Sequence, residues 1–315
     1  MSVIDAEVLY RPETAELRFL PEGPYECGGN RLSWVGIQHG AAAVTGSLNL
    51  LDLVARTNRS YELPGRPGFA FPTADGQSWV IGLERAVKVF TPATGAWREL
   101  CGRVDAAVEN TIINDATLID GGLIFGCKDL KFAEQKAGLY LWRESDRRLI
   151  QLRGDQICSN GKKVVQRDGQ TTLLDIDSPT KTVAAYALDV ERGTLGERRV
   201  ALDLTSGPSF PDGMILTPDG QSVIIAFYDP RDVPWGEARQ YRLSDGQVEA
   251  VWRTPGSPRV TCPQLVQLDG KVRLVLTTAV EHMSAEEAAR HPNAGCLFIA
   301  ETSFGRLPEA PRFGA

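Results

Sequence analysis

The chain has 315 residues, of which 43% are hydrophobic and 23% are charged, an ordinary globular composition. Its net charge of -6 and the lack of a Lys/Arg cluster argue against nucleic acid as the main partner. The start, MSVIDAEVLY, lacks a signal-peptide pattern, and no apolar run approaches the ~18 residues of a membrane span. The six cysteines show no C-x-x-C spacing and favour free thiols. We therefore expect a cytoplasmic protein without a membrane partner.

A turn signal recurs along the chain at intervals of about fifty residues. Each occurrence precedes a β-rich run, such as SWVIG after the first Asp-Gly pair and SVIIAF after the fourth. The Asp-Gly pairs begin at Asp75, Asp120, Asp168, Asp219 and Asp269, and a degenerate member is Gly28-Gly29-Asn30. Several units carry a second turn signal further on, at Pro92-Ala93-Thr94-Gly95, Glu191-Arg192-Gly193 and Ser244-Asp245-Gly246.

Six units of this length, each with several short strands, predict an all-β fold: a six-bladed β-propeller of four-stranded blades in a single domain, residues 1–315. The alternative is another all-β array. The N-terminal run AEVLY is expected to pair with CLFIAE near the end of the chain, because an open ring would leave two sheet edges unpaired. Helical periodicity is nearly absent, and one short helix is expected, from Ser284 to Arg290.

The tripeptide Pro-Asp-Gly occurs twice between Gly207 and Gln221, and only the second copy fits a turn. Pro218-Asp219-Gly220 lies between two apolar runs, whereas Pro211-Asp212-Gly213 falls where a strand should begin. Asp212 precedes the Asp of its turn by seven residues, and one residue in every other unit precedes its turn by six to eight. If each turn joins the innermost strand to the next, the six innermost strands begin at Glu22, Gly68, Asn114, Asn160, Asp212 and Cys262.

These ring positions predict a cation site at one mouth of the central tunnel. Four of the six carry oxygen-bearing side chains, and two carboxylates held together without a cation would repel each other. Carboxylate and carboxamide oxygens suit a single hard divalent cation, Ca²⁺ first, with Mg²⁺, Mn²⁺ or Zn²⁺ as alternatives. The alternative for each residue is a cap of a strand start, which Asn and Asp often provide.

At these residues the sequence resembles the SMP-30/gluconolactonase/luciferin-regenerating-enzyme family of six-bladed propellers. The matching motifs span nearly the whole chain: LPEGP from Leu20, Ile113-Asn114-Asp115, Ser159-Asn160-Gly161, Asp177-Ser178-Pro179-Thr180, FPDGM from Phe210 and AGCLF from Ala294. The resemblance implies a metal-dependent lactonase whose ion is held by Glu22, Asn160 and Asp212, with Asn114 close to the ion or the substrate. Asp212 would be both a ligand and the general base.

One position departs from the family pattern and bears on the substrate. Ile112 stands where sugar-lactone hydrolases of this family usually carry an Arg that contacts substrate hydroxyls, so a lactone less polar than an aldonolactone is expected. Glu134 aligns, across a gap, with a substrate-contacting Glu of the family. Lys128, Tyr228 and His282 are substrate-binding candidates because their loops are expected on the face of the ring positions, and the alternative for each is a rim residue.

For a lactone, the cation would bind the carbonyl oxygen while Asp212 takes a proton from the attacking water. A Ser-His-Asp hydrolase is not expected, because the chain has three His and no G-x-S-x-G elbow. Two alternatives stay open. The same metal site could serve other ester or phosphotriester hydrolysis or a non-hydrolytic rearrangement, or the protein could be a non-catalytic calcium-binding propeller. The expected partner of the enzyme is a small-molecule substrate.

Overall fold

The computed structural model describes residues 1–167 and 169–314. The first part of the chain contains β1 (Ser2–Asp5), β2 (Glu7–Tyr10), α1 (Ala15–Phe19), β3 (Pro21–Glu26), β4 (Arg31–Gly36), β5 (Gly46–Asp52) and β6 (Asn58–Leu63). The middle part begins with β7 (Pro67–Pro72), β8 (Trp79–Leu83), β9 (Ala86–Thr91), β10 (Ala96–Cys101), β11 (Thr111–Ile119), β12 (Gly122–Asp129), β13 (Ala137–Arg143) and β14 (Arg148–Gln156).

The middle part continues with β15 (Ser159–Arg167), β16 (Gln170–Asp177), a 3-10 turn at Ser178–Thr180, β17 (Thr182–Asp189), β18 (Thr194–Leu195) and β19 (Arg199–Asp203). The last part contains β20 (Phe210–Leu216), β21 (Ser222–Tyr228), β22 (Trp235–Arg242), β23 (Val248–Pro255), β24 (Val260–Leu268), β25 (Lys271–Thr278), α2 (Ala285–Arg290) and β26 (Leu297–Glu301).

These strands form six sheets that follow the order of the chain. Sheet one consists of β3–β6, sheet two of β7–β10, sheet three of β11–β14, sheet four of β15–β19, sheet five of β20–β23 and sheet six of β24–β26. The N-terminal strands extend two of them, because β1 pairs in sheet five and β2 in sheet six. Sheet four has one strand more than predicted, since both β18 and β19 pair with β17.

The chain folds into two compact units. The first unit, residues 1–67 and 207–310, holds sheets one, five and six. The second, residues 68–206 and the described residues 311–314, holds sheets three and four and, except for Pro67, sheet two. In the first unit β24 lies against both β3 and β20, and in the second β11 lies against β15. The first strand of these sheets is therefore the innermost one, as predicted. A single domain over residues 1–315 stays a prediction.

The core of each unit lies between neighbouring sheets. In the first unit, one buried cluster joins sheets five and six through Ile224 and Phe298, and another joins sheets one and six through Trp34 and Val275. In the second unit a cluster that includes Leu173 joins sheets three and four. Alternate residues of the strands supply these clusters, since successive side chains of a strand point to opposite faces.

The repeated turns are confirmed by their backbone conformation. The glycine of each turn lies between the first and second strands of its sheet and has a positive φ, from 60° to 73°: Gly29, Gly76, Gly121, Gly169, Gly220 and Gly270. The second turn signals also end in glycines of positive φ, at Gly95, Gly193 and Gly246. Asp168, the first residue of the fourth Asp-Gly pair, lies outside the described residues.

The predicted pairing of the N-terminal strand is confirmed. In β2, Glu7 faces Ile299 and Val8 faces Phe298 across an antiparallel ladder with β26. Leu9 of the same strand is buried and packs into the core between sheets one and six. The parallel pairing of β1 with β23 was not predicted from the sequence.

Of the two α-helices in the described part of the chain, one was predicted and one was missed. In α2, the Ser284 hydroxyl accepts a hydrogen bond from the Glu287 amide, and the Glu287 side chain accepts one from the Ser284 amide, which is a capping box. The expectation of one helix is wrong because α1 also forms, capped by the Thr14 hydroxyl. No helix in the described ranges has the length and apolar character needed to cross a membrane.

Candidate active site

The six predicted ring positions all lie near the start of the first strand of their sheet. In five of these strands the ladder to the second strand shifts register beside that position. The shifts lie between Glu22 and Tyr25, Ile113 and Ala116, Ser159 and Lys162, Pro211 and Met214, and Val260 and Pro263. A β-bulge of this kind bends the strand and re-aims side chains. In these five sheets, the repeat spacing therefore identified the point where the inner strand leaves its ladder.

The two carboxylates lie in the first unit, on strands that both pack against β24. Asp212 of β20 is buried, and Glu22 of β3 is half-buried, with its Oε2 accepting a hydrogen bond from the Gly23 amide at 2.8 Å. A Cβ on Gly213 would lie 2.5 Å from the Sγ of Cys262, so this close packing requires glycine. The first Pro-Asp-Gly is thus part of an inner strand, and its glycine serves packing rather than a turn.

The two carboxamides lie in the second unit and contact each other. The Nδ2 of Asn114 donates to the Oδ1 of Asn160 at 2.9 Å and to the carbonyl of Ser159 at 2.9 Å, and the Nδ2 of Asn160 donates to the Ser178 hydroxyl at 2.8 Å. These bonds fix how both amides are oriented. Gly68 has no side chain to contribute, and a Cβ there would lie 2.2 Å from the Asn114 carbonyl oxygen.

A buried charge pair that the sequence did not reveal lies beside the carboxamides. Lys162 is 1% exposed, and its Nζ donates to the carbonyls of Asn160 and Asp115, the latter at 3.2 Å. Burial raises the pKa of Asp175 to about 6. The charge of Lys162 acts in the opposite direction, because it favours the ionised carboxylate. Gln156 donates to the same carboxylate. Ser178, Lys162 and Asp175 therefore support the carboxamides from the adjoining part of sheet four.

The other predicted substrate contacts of the second unit lie in sheet three and in the loop after β12. Ile112 is buried and faces Lys128 directly across the β11–β12 ladder. Lys128 is also buried, and its Nζ lies 5.8 Å from the ring centre of Phe132. Glu134 is exposed and forms an ion pair of 3.4 Å with Lys136. The structure thus brings Ile112 and Lys128 together and leaves Glu134 at the surface.

In the first unit, Tyr228 lies near Asp212, and His282 projects into solvent. The hydroxyl of Tyr228 donates to the carbonyl of Glu281 at 2.8 Å. Burial raises the pKa of Tyr228, and the charges of Glu281 and Asp212 act in the same direction. The His282 side chain is 65% exposed and lies 3.7 Å from the Glu281 carboxylate.

The chemistry of the predicted ligands fits a hard cation. Within residues 1–167 and 169–314, His, Cys, Asp and Glu form no group of three or more that could hold a metal ion. The predicted ligands instead combine two carboxylates with the carboxamide of Asn160, and every donor atom is an oxygen. No donor to the Oδ1 of Asn114 lies among the described residues, so this oxygen is available for an ion or a substrate.

Residues 20–280 match the family model described as SMP-30/Gluconolactonase/LRE-like region, which covers most of the chain. The chain belongs to this family. The resemblance inferred from the dispersed motifs is therefore confirmed. Together with the six sheets of this structure, membership establishes the predicted all-β fold, a six-bladed β-propeller.

Individual relatives are similar to the chain at low identity. The provisionally named sugar lactone lactonase YvrE of Bacillus subtilis (strain 168) is 26% identical over 208 residues, which cover 65% of this chain and 67% of that protein. The 6-deoxy-6-sulfogluconolactonase of Pseudomonas putida is 24% identical over 270 residues, covering 84% and 86%. Among solved structures, regucalcin from Agrobacterium tumefaciens str. C58, described as a calcium-binding protein, shares 20% identity and a TM-score of 0.79, covering 98% and 99%.

Proposed function

We propose that the protein is a divalent-metal-dependent hydrolase that opens a lactone, a cyclic ester. The observation that carries the proposal is the hydrogen-bonded pair Asn114–Asn160 at the ring positions of sheets three and four. The corresponding positions of sheets one and five carry Glu22 and Asp212. Membership of the family, and relatives named as lactonases, support the reaction class.

In this proposal Glu22, Asn160 and Asp212 hold one divalent cation, with Ca²⁺ preferred over Zn²⁺, Mn²⁺ or Mg²⁺. Such a cation supplies Lewis acidity that polarises the lactone carbonyl. Asn160 suits the role because its bond to Ser178 commits the amide nitrogen and leaves the carbonyl oxygen facing Asn114. Asn114, whose nitrogen is likewise committed, presents its oxygen to the ion or the substrate.

Asp212 is the general base in this mechanism. It accepts a proton from the water that attacks the carbonyl carbon, the ring C–O bond breaks, and the leaving oxygen takes up a proton to give a hydroxy acid. Tyr228 lies near Asp212 but commits its hydroxyl proton to the Glu281 carbonyl, so its ring is the part that contacts a substrate. His282 and Glu134 are exposed and contact the outer part of a bound substrate.

The polarity of the substrate follows from Ile112. Its side chain is buried and apolar at the position where the family resemblance places an Arg that contacts sugar hydroxyls. An apolar side chain cannot satisfy those hydroxyls, and burying them without partners costs free energy. The substrate is therefore a lactone whose ring is less polar than that of an aldonolactone.

The Asp212→Asn substitution tests the mechanism, because it removes the proton acceptor and keeps the size of the side chain. We expect turnover of a panel of sugar, aliphatic and aromatic lactones, assayed with Ca²⁺, Mn²⁺ or Zn²⁺, to fall by at least about 100-fold. The matched control is Asp219→Asn in the second Pro-Asp-Gly, where the carboxylate only caps a turn. Equal activity of the two variants, or no metal-dependent turnover by the wild type, would refute the proposal.

A second candidate function is calcium binding without catalysis, favoured by the likeness to regucalcin over almost the whole chain. The same panel separates the two, since a binding protein would show a calcium-dependent rise in melting temperature and no turnover. Phosphotriesters and acyclic esters belong in the panel because the apolar Ile112 also suits them. If only phosphotriesters or only acyclic esters are turned over, the protein is a hydrolase of that class and not a lactonase.

We also propose that the protein acts in the cytoplasm on a small molecule, without nucleic acid or a membrane as partner. All six cysteines are free and five of them are buried, which suits a reducing compartment. The net charge of -6 disfavours binding to a polyanion. Cell fractionation would test the compartment, and recovery of the protein from an oxidising compartment would contradict it.

A further inference from the structure

Lys128 is a buried cation with no anionic partner among the described residues. The residue is 8% exposed, and the ring of Phe132 lies 5.8 Å from its Nζ. Within residues 1–167 and 169–314 the ammonium has no ion pair or hydrogen bond. The ammonium keeps some contact with solvent, because the Lys128 Nζ is not one of the fully buried side-chain atoms without a hydrogen-bond partner. Burying a charge in this way is unfavourable unless something pairs with it.

The carboxylates closest to Lys128 in the sequence are committed elsewhere. Asp129 accepts hydrogen bonds from the amides of Lys131, Ala133 and Glu134, and it pairs with Lys136 at 3.4 Å. The carboxylate of Glu134 also pairs with Lys136, at 3.4 Å. Asp129 and Glu134 therefore both pair with Lys136. An anionic partner of Lys128 would then come from a bound ligand.

Lys128 lies next to the carboxamide pair of the proposed site. It faces Ile112 across the β11–β12 ladder, and directly opposed residues of an antiparallel pair point to the same face. It also forms a β-bridge with Cys158. The Cys158 sulfur contacts the amide nitrogens of Asn160 and Asn114, at 3.5 and 4.0 Å.

We propose that Lys128 determines substrate specificity by binding an anionic substituent, a carboxylate or a sulfonate, on the lactone. This inference rests on the proposed function and names its substrate class. Lys128 lies directly opposite Ile112, so a cationic and an apolar side chain share one face of the β11–β12 pair. A lactone with an apolar ring and one anionic group satisfies both side chains.

Phe132 completes this surface. The residue is 47% exposed, and its backbone is held at a φ of 50°, in the left-handed region that a bulky side chain rarely adopts. This conformation holds the face of the aromatic ring toward the ammonium, 5.8 Å from its centre, within the range of a cation–π contact.

The first experiment measures binding, so that it does not depend on catalysis. The probes are tetrahydrofuran-2-carboxylate, the sulfomethyl analogue and tetrahydrofuran-2-carboxamide, rings that cannot be hydrolysed, titrated by calorimetry with Ca²⁺ present. We expect the anions to bind the wild type about 10- to 100-fold more tightly than the amide, and high salt to reduce the difference. Lys128→Met, which keeps volume and removes charge, should abolish the preference, and Lys128→Arg should keep part of it.

The control is Lys131→Met, which removes an exposed lysine of the same loop and should leave the preference unchanged. Melting temperatures show that each variant is folded. The inference is overturned if anion and amide bind the wild type alike, if neither binds, or if Lys131→Met has the effect of Lys128→Met.

A second experiment separates this inference from the proposed hydrolase. The probes are γ-butyrolactone γ-carboxylate and the corresponding carboxamide, assayed for ring opening with Ca²⁺. Lys128→Met should raise KM for the carboxylate by about 10- to 100-fold and leave the amide unaffected. If the wild type and Lys128→Met hydrolyse both lactones equally well, the anion site is refuted and the proposed hydrolase activity is retained. Lys128-dependent binding without any turnover supports the anion site and refutes the hydrolase.

Discussion

At the scale of single residues, the support of the proposed site depends on a charge pair that is almost wholly buried. Lys162 donates to the carbonyls of Asp115 and Asn160, and so holds the strands that carry Asn114 and Asn160. Asp175 lies within its electrostatic reach. The ionised carboxylate is held in the interior at a cost, which is why its pKa is raised despite the nearby cation.

This cost predicts a pH dependence of stability. The pKa of Asp175 rises from 3.8 to about 6 on folding, so between these values the folded state binds more protons than the unfolded state. Stability contributed by Asp175 is therefore greatest at low pH and is lost as the pH rises from about 4 to about 6, by at most about 3 kcal/mol.

Chemical denaturation of the wild type and of Asp175→Asn at a series of pH values measures the effect. The difference in the free energy of unfolding, wild type minus variant, should decrease across this window, because the titration of all other groups cancels. A difference for Asp175→Asn that is flat or increases with pH contradicts the prediction.

At the scale of elements, the N-terminal strand β2 contributes to the core as well as to a ladder. Leu9 is 3% exposed and packs with Trp34 and Leu297 between sheets one and six. We expect Leu9→Ala to lower the free energy of unfolding by about 2–5 kcal/mol, because it leaves a cavity. Val3→Ala, in the neighbouring strand β1 where the side chain is 47% exposed, should change it by about 0.5 kcal/mol or less. Urea denaturation compares them, and equal losses would contradict the role of β2.

The sequence predicted those elements whose determinants are local. Turns such as Gly121 and Gly270 need a positive φ that glycine adopts readily, and the alternating strands between them then follow. Helix α1 was missed because its five residues form little more than one turn, which is too short to show a periodicity. The extra strand β18 was missed for a similar reason, since it has two residues.

The site could be predicted in part, for a related reason. The ring positions could be found because one residue lies six to eight positions before the turn in every unit, as Glu22 and Asp212 do at seven. Lys162, Asp175 and Ser178 carry no such phase, and their roles arise from contacts between strands. The pairing of Asp129 and Glu134 with Lys136 likewise could not be read from the sequence, because it depends on how the loop folds.

At the scale of the whole molecule, the proposed cation should stabilise the folded chain, because an ion that binds only the folded state shifts the unfolding equilibrium. The gain is about 2.7 kcal/mol when free Ca²⁺ exceeds the dissociation constant 100-fold.

Thermal denaturation with and without Ca²⁺ tests this prediction. Glu22→Gln and Asn160→Ala should each remove most of the calcium-dependent rise in melting temperature, whereas Glu197→Gln, on an exposed residue, should keep it. If either ligand variant keeps the full rise, the proposed ligand set is wrong.

The register shifts of the inner strands have a consequence for how this protein could change over time. At Asn114, Asn160 and Asp212 the side chains lie where the regular ladder is interrupted, so the pairing of the sheets does not depend on their identity. Substitutions there can alter reactivity while the surrounding architecture persists. Selection can therefore exchange these residues one at a time, and one scaffold stays open to new chemistries during descent.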